Sequence, residues 1–521
     1  MTLWDRAAAL FQQGNLPEAE QACLQLLKQV PADFAANRLL GALRARQGRF
    51  EEALASYDTA LAVQSDFALL YYRGVALRAL KRSDEALACF DAALRHNPDS
   101  AEAWNARGNA LNDLNHPPEA LASFDRALAI NPDLSEAQYN RAMSLNLLRR
   151  FDEALAAYNR ALDLNPDFTQ ALNNRGNCLL ALRRYPEALA DYDRVLAANP
   201  DSVESWNNRG SALQSLQRFD EALACYDKAL AIDPRNRDLL RNRAKMLCES
   251  HQAEEGFALF RHVAEAFPQP AQNPEPAHKI RHDEEQRAWL AAGNGVEAGA
   301  RLAGPAILPH NNVEQISGLW KNAKPQIVVI DNFLTEEALE KLQRFCWSAP
   351  VWQTIYSSGY LGADPEQGFC CPLLAQIADE MRLAWPVVFG DHGLHYLWGF
   401  KYDSQMRGTG VHADEAAVNV NFWITPDQAN LDPEGGGLVV WDAAAPLDWD
   451  FAKYNSDDIA IREFLERSGA RSVTIPYRAN RAVIFDSDLF HETDTIRFKD
   501  GYLNRRINVT LLYGRREWSD G

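Results

Sequence analysis

His412, Asp414 and His491 are side chains whose types and spacing could hold a metal ion. His412 and Asp414 stand two apart, so on an extended segment both point to one face. His491 comes from further along the chain, after the apolar run 482–485. Two imidazoles and one carboxylate can occupy one face of an octahedral Fe(II), leaving positions for a co-substrate and dioxygen. An ion so held keeps a net positive charge and attracts an anionic chelator. A 2-oxo acid would chelate through its 1-carboxylate and keto oxygen, and its distal carboxylate would need a cation. A guanidinium fork suits that task, and Arg505 and Arg506 follow in a strand-like run. A lone His-x-Asp also arises by chance in surface loops. This one is followed by an apolar strand, the turn Gly435-Gly436-Gly437, and a second His behind another strand.

The elements that must position these groups read as short strands. The run 327–334 is β-like and Thr335-Glu336-Glu337 opens a helix with capping character. Further strands are expected at 394–402, 418–424, 437–441, 472–476, 482–486 and 506–513, a pattern that suggests a double-sheet jelly roll. Asn419 and Asn421 alternate with Val418 and Val420, which leaves open which pair faces a pocket. His392 and His395 stand near strand ends and read as structural. The insertion 443–470, with Trp449, Phe451, Tyr454 and a helix-like segment, reads as a lid or as surface elaboration.

Over about residues 326–516 the chain resembles the Fe(II)/2-oxoglutarate-dependent dioxygenases, especially the prolyl-hydroxylase-like branch. The opening Ile330-Asp331-Asn332-Phe333-Leu334 and the His-x-Asp…His order carry the likeness. The resemblance implies an iron ligated by His412, Asp414 and His491, with 2-oxoglutarate and dioxygen as co-substrates. It also places Tyr402, ten residues before His412, near the co-substrate. The basic residue follows the distal His at a longer interval than is usual in that family. Arg506 is favoured over Arg505 and Arg497, because residues 506, 508 and 510 share one strand face. Asn508 thereby joins a pocket similar to the family's Arg-x-Ser arrangement.

The N-terminal half repeats itself. A small residue recurs at Ala19, Ala53, Ala86, Ala120, Ala154, Ala188 and Ala222, at intervals of 34 with one of 33, and Gly256 continues the series. Prolines close most units, from Pro31 and Pro98 to Pro268. This resembles the tetratricopeptide repeat family, over about residues 1–268, and implies eight helix pairs stacked as an all-α solenoid. The eighth unit departs from the pattern and reads as a cap. Asn140, Asn174, Asn208 and Asn242 lie 34 apart on first helices. Side-chain amides can donate to and accept from a peptide main chain, so the four form a candidate substrate-binding ladder. The arrangement looks like the asparagine ladder of O-GlcNAc transferases. A tolerated polar residue on a solvated helix face is the plainer reading. Leu39, Tyr72 and Ala106 hold the place in earlier units.

Three parts are thus expected: a repeat solenoid over 1–268, a linker with a short helix over 269–325, and an oxygenase domain with flanking helices over 326–521. The Pro-rich run 268–276 can neither continue a helix nor build a sheet. A formal charge of −18 argues against a nucleic-acid backbone as partner. No run approaches the apolar length of a membrane span, and the N-terminus lacks a basic region and cleavage site. The eight scattered cysteines read as buried thiols in a reducing cytoplasm. The function expected is hydroxylation of a protein or peptide held by the concave face of the repeats. The rivals are a small-molecule oxygenase whose repeats assemble a complex, and a non-catalytic scaffold.

Overall fold

A computed structural model describes all residues except 1, 269–274, 310, 312, 357, 407 and 517–521. Most of the expected Pro-rich run therefore lies outside the described residues. The chain forms two compact units, Met1–Leu216 and Gln217–Gly521. Repeat periodicity continues to residue 268, but compactness divides the chain earlier, because the later helix pairs pack with the β-rich part.

In the first unit, first helices run Leu3–Gln12, Phe34–Arg46, Phe67–Ala79, Ala101–Asp113, Ser135–Leu147, Thr169–Ala181 and Val203–Ser215. Between them lie second helices such as Phe50–Leu61, Ser83–His96 and Tyr185–Ala198. Their pairing is set by small-to-large complementarity. Gly41, Gly74, Gly108 and Gly176 each lie against a ring of Tyr57, Phe90, Phe124 or Tyr192, where an added Cβ would approach to 2.4–2.7 Å. Asp33, Asp66, Ser100 and Ser202 cap first helices by accepting a backbone N–H. Each hairpin turns through a left-handed residue: Gly14 and Gly48, then Lys81, Asn115, Arg149 and Arg183, with φ from 58° to 78°. Ion pairs repeat with the period, from Arg73–Asp58 through Arg107–Asp91 and Arg141–Asp125 to Arg209–Asp193.

The second unit opens with the helices Phe219–Ile232, Arg237–Glu249 and Ala253–Ala266. The linker region contributes the expected helix, Ala277–Ala291, and a further one at Val313–Asn322. Helices Glu336–Ser348 and Pro372–Ala384 flank the strands. Those strands are β1 (Ile327–Asp331), β2 (Thr354–Ile355), β3 (Leu361–Ala363), β4 (Leu394–Lys401), β5 (Gln405–Met406) and β6 (Val418–Trp423). They continue as β7 (Leu438–Ala444), β8 (Ser472–Ile475), β9 (Arg481–Asp486), β10 (Leu489–Thr493), β11 (Ile496–Arg497) and β12 (Ile507–Tyr513).

All strand pairs are antiparallel. One sheet has the order β1-β9-β6-β12-β4-β3-β2, a second β10-β7-β8, and a third β11-β5. Alternation along β6 divides two cores. Val418, Val420 and Phe422 join the large core that includes Leu342, Phe345, Ile377 and Phe257 from the flanking helices. Trp423 joins a smaller core shared with Val440 of β7, Ile475 of β8 and Phe485 of β9. The large sheet and the three-stranded sheet therefore pack across a common interior, which is where the candidate ligands lie. All eight cysteines are buried.

Candidate metal and substrate site

His412 and His491 are directly opposed in an antiparallel bridge. His412 N donates to His491 O at 2.9 Å and His491 N donates back to His412 O at 2.8 Å. Cross-strand neighbours of this kind bring their side chains together, and the two rings lie 4.4 Å apart. Asp414, two residues on, returns to the same side: its Oδ1 is 3.9 Å from His412 Nε2 and its Oδ2 is 3.4 Å from His491 Nε2. One ligand atom from each residue lies within 4.8 Å of the others.

The ring nitrogens away from this cluster are committed to the backbone. His412 Nδ1 is 2.8 Å from Gly410 O and His491 Nδ1 is 3.1 Å from Leu489 O. A carbonyl accepts only, so the proton belongs on Nδ1 and the Nε2 lone pairs face one another and Asp414. Burial keeps His412 below its ordinary range and therefore neutral. Burial alone would raise the Asp414 carboxyl, but the His491 and His412 imidazoles and the Asn419 amide hold it below the usual range. Two imidazoles with their Nε2 atoms turned toward an ionised carboxylate are a donor set that fits a divalent cation such as Fe(II).

Behind the carboxylate runs a buried chain of amides. Asn419 Nδ2 donates to Asp414 Oδ2 at 2.5 Å, and Asn421 Nδ2 donates to Asn419 Oδ1 at 2.7 Å. Asn508 Nδ2 and Thr510 Oγ1 both donate to Asn421 Oδ1 at 2.7 Å. The two asparagines of β6 thus face the ligands, and the valines face the large core. The expected co-substrate residue Asn508 is part of this chain, and its Oδ1 is buried with no hydrogen-bond partner.

Arg506 is 1 % exposed. Its Nε and Nη2 donate to Gly436 O and Gly437 O at 2.7 and 3.2 Å, while Nη1 is buried with no hydrogen-bond partner. The guanidinium lies 4.9 Å from the Tyr402 ring centroid, with Trp423 at 5.6 Å and Tyr477 at 5.9 Å. A fully buried cation with one unmatched N–H edge is a fit for the carboxylate of an anionic chelator. Its neighbour Arg505 points elsewhere and pairs with Glu285 at 2.7 Å. Tyr402 is 1 % exposed, and its hydroxyl lies 3.5 Å from Thr493 Oγ1.

A cavity of about 620 Å3 opens onto the ligands. His412, Asp414, His491, Tyr402 and Asn508 line it, beside a run of aromatic side chains from β4. Arg506 is not a lining residue and stands against Tyr402 instead. The insertion 443–470 folds as helices Phe451–Ser456 and Asp458–Ser468. Its Tyr454 O accepts from Ala413 N at 3.0 Å, and Asn455 Nδ2 donates to Ala413 O at 3.0 Å. Tyr454, Trp449 and Ile461 share a core with Val411 and Ala413. The insertion therefore clamps the His-x-Asp segment, a role that no periodicity announces.

The four ladder amides are each half-buried on a first helix, three in the first unit and Asn242 in the second. They are not equivalent. Asn140 Nδ2 donates to Asn105 Oδ1 and Asn174 Nδ2 to the Tyr139 hydroxyl, both at 2.9 Å, while Asn208 Oδ1 accepts from Asn207 at 3.3 Å. Asn242 lines a smaller cavity with Arg241 and Lys245. Lys245 also lines the cavity at the candidate metal ligands, and no repeat pattern distinguishes it in the sequence.

A tetratricopeptide repeat family model matches residues 5–68, 38–93, 71–135 and 139–203, and a second repeat model matches 203–236. Residues 5–236 are thus an array of tetratricopeptide repeats. Among similar solved structures is a tetratricopeptide repeat protein from Parabacteroides merdae. It is 22% identical over 46% of this chain and 96% of its own, with a TM-score of 0.39. YrrB, described as having an unusual peptide-binding site, is 24% identical over 36% of this chain and 96% of its own, with a TM-score of 0.31. The type IV pilus biogenesis factor PilW is 24% identical over 40% and 96%, with a TM-score of 0.38. No curated protein matches the chain. Among the described residues, no helix is long and apolar enough to cross a membrane.

Proposed function

We propose that the chain is an Fe(II)- and 2-oxoglutarate-dependent oxygenase that hydroxylates a protein or peptide bound by its repeats. The observation that carries this reading is the opposed pair His412 and His491 with Asp414 beside them, one ligand atom of each lying within 4.8 Å of the others. The sheet orders β9-β6-β12-β4 and β10-β7-β8 around one interior support a jelly roll as the frame. When bound, iron with 2-oxoglutarate and dioxygen would supply the oxidising equivalent for attack on a C–H bond. His412, Asp414 and His491 would hold the metal, and Asn419 orients Asp414 by donating to its Oδ2. Arg506 offers its unmatched Nη1–H to a carboxylate, while Tyr402 and Asn508 shape the wall between that cation and the ligands. Tetratricopeptide repeats support the peptide-binding half of the proposal, with Asn140, Asn174, Asn208 and Asn242 as candidate contacts.

The test is direct. Purified chain should consume 2-oxoglutarate in the presence of Fe(II), and His412→Ala and Asp414→Ala should each abolish that turnover. Turnover surviving both substitutions sinks the site assignment. A chain that captures peptides but binds neither metal nor 2-oxoglutarate anaerobically is a scaffold instead.

A further inference from the structure

Lys245 lies on the helix Arg237–Glu249, three residues after Asn242 and so on the same helix face. It is a lining residue of two cavities at once. One holds His412, Asp414 and His491; the other, of about 270 Å3, holds Arg241 and Asn242. His395 and Tyr396 of β4 are shared by both cavities as well. One helix of the repeat array thus carries a ladder amide and a lysine onto a wall that reaches the candidate metal site, all within the second compact unit.

The ammonium of Lys245 makes no hydrogen bond and no ion pair among the described residues. Its neighbours are otherwise engaged. Glu249 is 3.1 Å from Arg515 and 2.9 Å from His395 Nδ1, while Arg241 is 3.3 Å from Asp238 and 3.9 Å from Glu366. Asp458, at the same cavity, is 2.9 Å from Arg462. Glu249 attracts Lys245 through space, and Glu415, exposed on the lining, does so less strongly. Desolvation lowers the Lys245 pKa, so burial penalises its charge where a bound anion would offset the cost.

We infer that Lys245 is a specificity-determining residue that receives an acidic side chain of the polypeptide substrate. The Asp or Glu carboxylate pairs with the ammonium beside Asn242 and directs the neighbouring residue toward His412, Asp414 and His491. This deepens the proposed function and rests on it for the nature of the substrate, but its test reads binding alone.

A random dodecapeptide library with amidated C-termini is passed over immobilised full-length protein, and the retained peptides are sequenced. The parallel columns carry Lys245→Gln, Lys245→Glu and Asp414→Ala. The original chain and D414A should enrich Asp or Glu at one position about tenfold, the factor a charge-assisted hydrogen bond supports. K245Q should lose that enrichment, and K245E should turn it toward Lys or Arg. A K245Q melting temperature equal to that of the original chain shows that the loss is not unfolding. No acidic enrichment by the original chain, or equal enrichment by K245Q, overturns the inference. Selective retention with no 2-oxoglutarate turnover would keep the Lys245 assignment and remove the oxygenase reading.

Discussion

At the scale of single residues, the candidate metal ligands were legible because a two-residue spacing puts His412 and Asp414 on one side of an extended segment. Their support was not. Asn419 is one of two alternating asparagines, and only the division of β6 between two cores puts it 2.5 Å from Asp414. Removing a partner behind a metal ligand typically costs about 10- to 100-fold in affinity. Asn419→Ala should show that loss in a Mn(II) titration, with the fold retained in circular dichroism. Arg506 calls for a different change. Lysine keeps the charge but not the planar fork, so Arg506→Lys should raise the KM for 2-oxoglutarate about tenfold or more. An unchanged KM would remove Arg506 from the co-substrate site.

At the scale of elements, the repeats carry their geometry in the period itself. Glycine under an aromatic ring recurs at Gly41, Gly74, Gly108 and Gly176, and each pair fixes the approach of two helices. Gly176→Val pushes a branched side chain into the Tyr192 ring and should destabilise the first unit by about 1–3 kcal/mol, read as a lower melting temperature. The hairpin turns give the opposite sign. Lys81 sits at φ 59° in a place where Gly14 and Gly48 serve in earlier repeats. Lys81→Gly relieves a left-handed conformation that costs an L-residue about 1–2 kcal/mol, so the melting temperature should rise. The β-rich part offered less to read. Its strands emerged from composition and alternation, but β10, which carries His491, is short, and the helices of the insertion have no repeat to announce them.

At the scale of the whole molecule, the last repeat helices and the sheet of the second unit share the large apolar core, and Glu249 adds polar contacts to His395 and Arg515 beside it. Burial by itself raises the Glu249 carboxyl, but the His395 hydrogen bond and the Arg515 guanidinium overcome it and hold the group at about 2. A carboxyl depressed on folding stabilises above its unfolded value, 4.5, and loses that contribution as pH falls toward about 2. Glu249→Gln should therefore be less stable than the original chain at pH 7. The gap should narrow as pH drops below about 4.5, measured by urea unfolding of the two proteins across that range. A gap independent of pH would mean that Glu249 acts through packing alone.

The sequence alone determined the solenoid and nominated the metal triad, because local periodicity and ligand spacing need no knowledge of the rest of the chain. Tertiary structure decided what depends on residues far apart in sequence. It set the bridge that opposes His412 to His491, the clamp of Tyr454 and Asn455 on Ala413, and the choice of Asn419 over Val420. It separated Arg506 from Arg505, and it brought Lys245 to a cavity shared with a sheet 150 residues later. A pattern along one helix or strand reports which face is buried. Only the folded chain shows what that face meets.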